Sequence, residues 1–147
     1  MRSSTANNQR PGFTLAEIVV VVIVLGVLAA IVVPQFTSAA VAARQDAVKE
    51  QLHTIRAAIE LYKAQHHDAL PDLSDGWTPL TTQTDASGQT TGTPLFGPYL
   101  PSPPVNPLTH AGALGTSPAA GVDWLWDSST GTITALDPSG IPFVETP

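Results

Sequence analysis

Polar and apolar positions divide the chain into three regimes. Residues Met1 to Gly12 are polar, carry Arg2 and Arg10 without an acid, and show no helical or strand period. From Ile18 to Val33 every residue is apolar or glycine. Phe13, Leu15 and Ala16 lengthen that run to about the 20 residues a helix needs to cross a bilayer. Glu17 is the one charge inside it. Beyond Pro34 the pattern turns amphipathic: Val41, Val48, Leu52, Ile55, Ile59 and Tyr62 recur by sevens, fours and threes, while Arg44, Lys49, Glu50, Arg56 and Glu60 lie mostly off that stripe. The pattern predicts an almost unbroken helix from Phe13 to about His66, roughly 80 Å long at 1.5 Å per residue. Such a helix exceeds one small domain, so its first half requires lipid or other subunits as cover. Arg56 with Glu60, and Asp46 with Lys49, are spaced to pair along its surface, each pair worth only ~0.2–0.5 kcal/mol.

The helix is expected to stop near His66-His67-Asp68, because Leu70-Pro71 imposes extended backbone and Asp72, Ser74, Asp75 and Gly76 favour turns. Adjacent histidines point about 100° apart on a helix, which makes them poor joint metal ligands and better polar groups near a helix C-terminus. From Thr78 to Gly121 the chain is rich in Pro, Gly, Thr and Ser, with Thr81 to Thr93 reading as a mobile loop. Prolines at 98, 101, 103, 104 and 107 then exclude a central strand or helix. They leave an extended wrap held down by Phe96, Tyr99, Leu100 and Val105. Val122 to Asp127 and Thr132 to Leu136 form the one clear hairpin, turning through Ser128 to Gly131. Its Trp124 and Trp126 share a face that can cover the Leu52 to Tyr62 stripe, or serve as a sugar-stacking platform. The fold class is therefore α+β: a long N-terminal helix, half membrane-like and half amphipathic, packed on a small C-terminal antiparallel hairpin or sheet with proline-rich loops.

Composition narrows the function. The first 36 residues leave roughly 110 for a single small domain. All six Lys and Arg lie at or before Lys63, and the acids Asp68, Asp72, Asp75, Asp85, Asp123, Asp127, Asp137 and Glu145 follow without a basic partner. An acidic distal half argues against nucleic-acid binding. The absence of cysteine removes disulfides and thiolate chemistry. No nucleophile elbow, H-E-x-x-H or glycine-rich phosphate loop is present, so the sequence does not read as an enzyme. The basic leader places the N-terminus in the cytoplasm and sends the long C-terminal part across the membrane. An ordinary cleaved secretory signal fits poorly, since the apolar core is too long and the Ala40-Val41-Ala42 triplet lies well past its end. A plain anchor would make Glu17 a pure cost, about 2.5–3.5 kcal/mol at mid-bilayer and less near the interface.

Gly12-Phe13-Thr14-Leu15-Ala16-Glu17 ahead of an apolar helix resembles the class III signal of type IV pilins and type II secretion pseudopilins. That resemblance implies cleavage after Gly12 by a prepilin peptidase, methylation of the new N-terminus at Phe13, and pairing of Glu17 with the N-terminal amine of a neighbouring subunit. An ion pair between helices compensates two charges that would each be costly alone, and only one axial offset brings them together. Gly26 and Pro34 match the family's helix-weakening positions, whereas Pro11 stands where a basic residue is common. The Gly97-Pro98-Tyr99-Leu100 and Pro104-Val105-Asn106-Pro107 segments are similar to those of the major (G-type) pseudopilin.

The implied organisation is a cleaved cytoplasmic leader (1–12), a transmembrane and assembly helix (13–36), its amphipathic continuation (37–68) and a periplasmic loop-rich β domain (69–147). The implied product is a single-pass inner-membrane subunit of a periplasmic type II secretion filament. Its implied partners are identical or related pilin-like subunits, the prepilin peptidase and the inner-membrane assembly platform. A type IV pilus or competence pilin, or a membrane-tethered periplasmic binding module, stands as the alternative. The resembled subunits hold calcium in a C-terminal loop. Asp127 or Asp137 could contribute to such a site, but Asp123 and Asp127, ~13 Å apart along one strand, cannot share an ion. No residue set is assigned to a metal, and no other cofactor is expected.

Overall fold

The computed structural model describes residues 12–145, apart from the side chains of residues 33–38. Arg2, Arg10 and Pro11, read in the sequence as part of a leader, lie outside the described residues. The chain divides into two compact units, 1–40 and 41–147.

Helix α1 spans Leu15–Gln65 and passes unbroken through Gly26 and the backbone of Pro34. It stops where expected. The Asp68 N–H donates to the Lys63 carbonyl at 2.9 Å, and His67 takes a left-handed φ of 56°. This is a Schellman-type end with a histidine where glycine is usual.

In the second unit, Val48, Leu52, Ile55, Ala58, Ile59 and Tyr62 form the buried face of α1. The stripe begins later than its periodicity suggests, because Val41 is 53% exposed. Facing it are Leu73, Trp77, Leu100 and Leu80, the last on the short helix α2 (Thr78–Thr81), together with the inward side of a three-stranded sheet. That sheet consists of β1 (Leu114–Gly115), β2 (Trp124–Asp127) and β3 (Thr132–Ala135) in the order β1-β2-β3. β2 and β3 form the predicted antiparallel hairpin, with Trp124 opposite Ala135 and Trp126 opposite Ile133. β1 runs parallel to β2 and was not legible, since two residues carry no period.

Trp124 and Trp126 are 0% and 2% exposed, so they are core and cannot stack sugars. The Trp124 indole N–H donates to the Pro104 carbonyl at 3.1 Å, which ties the hairpin to the proline-rich wrap. Within that wrap Leu100 is buried as expected, but Val105 is 55% exposed. The inward residue is instead Asn106, fully buried, whose Nδ2 donates to the carbonyls of Asp123 (2.7 Å) and Leu136 (2.8 Å) while its Oδ1 accepts from the Leu108 N–H (2.9 Å). An extended proline run leaves few backbone donors of its own, and this carboxamide supplies donors to two strand-end carbonyls.

Candidate assembly site

Thr14 and Glu17 close the first turn of α1 on themselves. The Thr14 hydroxyl oxygen accepts from the Glu17 N–H at 3.2 Å, while Glu17 Oε2 accepts from the Thr14 N–H at 3.2 Å and from its hydroxyl at 3.1 Å. This is a reciprocal capping box, which satisfies donors that a helix start otherwise leaves open. The Thr-x-x-Glu spacing was available in the sequence, yet Thr14 drew no attention beside the charge of Glu17. Gly12 and Phe13 precede the helix, and Phe13 is 82% exposed. The Gly12–Phe13 peptide bond is therefore outside helical backbone, with open space around Gly12. At Gly26 an added Cβ would meet nothing within 4 Å, so no contact described within the chain requires that glycine.

Residues Leu15–Val32 have a mean hydropathy of 3.1 and none of them is buried among the described residues. The helix is apolar around its whole circumference, as a segment buried on all sides must be. Its large side chains are about half exposed on the bare helix, so together they would gain on the order of 10–20 kcal/mol on full burial. A domain's whole stability is about 5–15 kcal/mol. The magnitude requires lipid or neighbouring apolar helices around this segment.

Charges on the second unit are arranged partly as the spacing suggests. Lys49 meets Asp46 at 4.0 Å. The expected Arg56–Glu60 pair is replaced: Arg56 binds both oxygens of Glu145 at 3.0 and 3.1 Å, and Glu60 accepts from Lys63 at 2.9 Å. His66 and His67 diverge. His66 is 3% exposed and stacks on Tyr62 at 3.9 Å, with Nδ1 2.9 Å from the Tyr62 carbonyl and Nε2 3.0 Å from the Asp85 carbonyl. The Thr84 hydroxyl lies 3.1 Å from the same Nε2, so the histidine ties the loop after α2 to the end of α1. The sequence reading of that loop as mobile missed this anchor, together with the bridge between Thr84 and Phe96.

Four acids share one local device. Asp72, Asp85, Asp127 and Asp137 each accept, through Oδ1, the backbone N–H two residues on, from Ser74, Ser87, Ser129 and Ser139. These are Asx turns. The calcium candidates are engaged in such bonds: Asp127 and Asp137 in their turns, and Asp123, 3% exposed, through Oδ2 with the Ala113 N–H at 2.6 Å. Among the described residues no three His, Asp or Glu side chains converge.

Hydrogen bonds from Ser129 and Thr130 lower the Asp127 carboxyl from its ordinary 3.8 to about 2. A lowered folded pKa adds stability above the unfolded value and loses it as pH falls through the folded one. Asp127→Ala is therefore expected to unfold at a lower temperature than the parent chain above pH 4, with the gap narrowing from pH 4 to 2. Thermal unfolding of the detergent-solubilised chain across that range measures it, and a gap independent of pH would refute the assignment.

Residues 7–33 match the family described as prokaryotic N-terminal methylation motif. The capping box, the bare apolar helix and that motif together define a membrane-anchored, pilin-like class of protein. Its relatives include type II secretion system core protein G of Pseudomonas aeruginosa, 38% identical over 99 residues, covering 67% of this chain and 68% of the relative. Core protein G of Klebsiella pneumoniae is 32% identical over 65% of this chain and 67% of its own length, and that of Pectobacterium carotovorum 34% over 65% and 60%. The chain belongs to the type II secretion system core protein G family, the major pseudopilins. No solved structure matches it.

Proposed function

We propose that the protein is a structural pseudopilin subunit, inserted in the inner membrane, cut by prepilin peptidase after Gly12, methylated at Phe13 and assembled into a type II secretion filament. The observation that carries the reading is the methylation motif at 7–33, which includes an apolar helix segment left unburied among the described residues. In this reading residues 1–12 are the cytoplasmic leader, 13–36 the membrane and assembly helix, 37–68 its continuation, and 69–147 a periplasmic domain. Glu17 exchanges its bonds with Thr14 for the free amine of a neighbour's Phe13, which sets the axial register. Gly26 and Pro34 let the helix yield in the filament. The partners are like subunits, the peptidase and the inner-membrane assembly platform, and the protein's role is structural rather than enzymatic.

N-terminal sequencing and intact mass of the chain extracted from membranes test this. The expected mature protein begins at N-methylated Phe13. A chain that keeps Met1, or begins near Ala43, would overturn the reading.

A further inference from the structure

Of the four histidines, His53, His67 and His110 are exposed and His66 is buried. Both ring nitrogens of His66 face carbonyl oxygens, Nδ1 that of Tyr62 at 2.9 Å and Nε2 that of Asp85 at 3.0 Å. A carbonyl only accepts, and a neutral imidazole carries a single N–H. In either neutral tautomer one nitrogen lone pair is therefore set against an oxygen. The imidazolium donates to both. The Thr84 hydroxyl, 3.1 Å from Nε2, can donate to a neutral ring or accept from a charged one, so it is compatible with either state. The Asp85 carbonyl is compatible only with the second.

The surroundings favour a cation against the cost of burial. The ring stacks on the face of Tyr62 at 3.9 Å, and a cation is attracted to such a face. It also follows directly on the last residue of α1, where the helix dipole is negative. Charged neighbours on every side are otherwise engaged or fixed. On α1, Lys63 is bound to Glu60, and His67 turns out to solvent. On the loop, the Ser87 hydroxyl and the Gln89 N–H hold the Asp85 carboxyl below its ordinary 3.8, and Ser74 does the same for Asp72. Burial raises the hydroxyls of Tyr62 and of Tyr99 on the proline-rich wrap above their ordinary 10. Among these groups only imidazole changes charge between about pH 5 and 8.

We infer that His66 is a proton-operated latch, which as imidazolium fastens residues 85–94 to the end of α1 and on losing its proton lets them go. The base of that loop stays closed, because the Thr84 N–H donates to the Phe96 carbonyl at 3.0 Å. The part released lies over Tyr62, whose hydroxyl fills the space a side chain on Gly88 would need. Opening therefore uncovers the Tyr62–His66 stack. The closed loop holds one proton more than the open loop, so opening is favoured as pH rises. Asp85 acts with the opposite sign, since protonating its carboxyl on acidification weakens the turn that shapes the loop. The latch does not depend on the subunit reading.

The detergent-solubilised chain, isotope-labelled at its histidine rings, tests this, with substitutions of the exposed His53, His67 and His110 assigning the remaining signal to His66. At about pH 5 both nitrogens of that ring are expected to carry protons, and hydrogen exchange of residues 85–94, corrected for its intrinsic pH dependence, is expected to be slow. Across the ring's own titration the exchange is expected to quicken about tenfold, the worth of one charge-assisted hydrogen bond. His66→Gln is expected to exchange fast at every pH. Thr84→Val, which leaves the Asp85 carbonyl in place, is expected to keep the pH dependence. A singly protonated ring beneath a protected loop at that acid end, or exchange that does not follow the ring's titration, would overturn the latch. Loss of the pH dependence in Thr84→Val would overturn it as well, by making the hydroxyl the partner of a neutral ring.

Discussion

Glu17→Gln is expected to enter the membrane as well as the parent chain and to lose filament assembly. The substitution separates two duties of one side chain. A glutamine at the third helical position can still accept from the Thr14 N–H, so the capping box survives, but the charge that would meet a neighbour's amine is gone. A buried amine left without its partner costs about 3–5 kcal/mol, or roughly a hundredfold to a few thousandfold per contact. Insertion is unaffected because it is driven by the apolar run, whose mean hydropathy is 3.1 over Leu15–Val32. Thr14→Ala supplies the counterpart: it loses the hydroxyl of the box, a cap worth about 0.5–2 kcal/mol, and keeps the carboxylate. Its assembly defect is expected to be the milder one. Membrane fractionation and the yield of sheared, sedimentable filaments measure both effects. Normal assembly by Glu17→Gln would show that the carboxylate's charge does not set the register.

Trp124→Ala is expected to unfold the second unit. The ring is fully buried, packs edge-on to Trp77 at 6.3 Å, and stands among Leu52, Ile55 and Ile133 in one core cluster. Truncating such a residue costs about 3–5 kcal/mol. The Pro104 carbonyl would also be left buried without its indole donor, at about 1–3 kcal/mol. Against a total of about 5–15 kcal/mol, the sum takes most of the margin. Trp124→Phe keeps most of the volume and is expected to lose only a fraction of that. Urea unfolding followed by circular dichroism compares the variants, and a midpoint for Trp124→Ala within error of the parent would contradict this account of the core.

The parts of the fold visible in the sequence are those set by period. Val48 through Tyr62 and the Trp124–Trp126 alternation each repeat over enough residues to state which face is buried. Periodicity does not report where cover ends, and so Val41 was assigned to a core that does not reach it. Asn106 was hidden for a different reason. Its bonds reach residues 17 and 30 positions away, and the extended proline-rich wrap that the sequence predicts does not say which side chain turns inward. Arg56 shows the same limit, because a partner four residues away was outcompeted by Glu145, 89 positions on. Gly12, Phe13 and Glu17 stand out as a motif because they fall within six consecutive residues, and the Thr14 to Glu17 spacing of the capping box lies inside the same stretch.

The Asp-x-Ser turns have a consequence for the order in which the chain folds. Each joins groups only two residues apart, so it can close as fast as the local backbone samples it, with no oxidant and no distant partner. The Asn106 clasp must wait until the hairpin has formed and both its ends have come within reach. The folding chain is therefore expected to set its Asx turns before the Asn106 clasp closes on the hairpin that carries Trp124 and Trp126. The last long-range step is then made by a single carboxamide, that of Asn106.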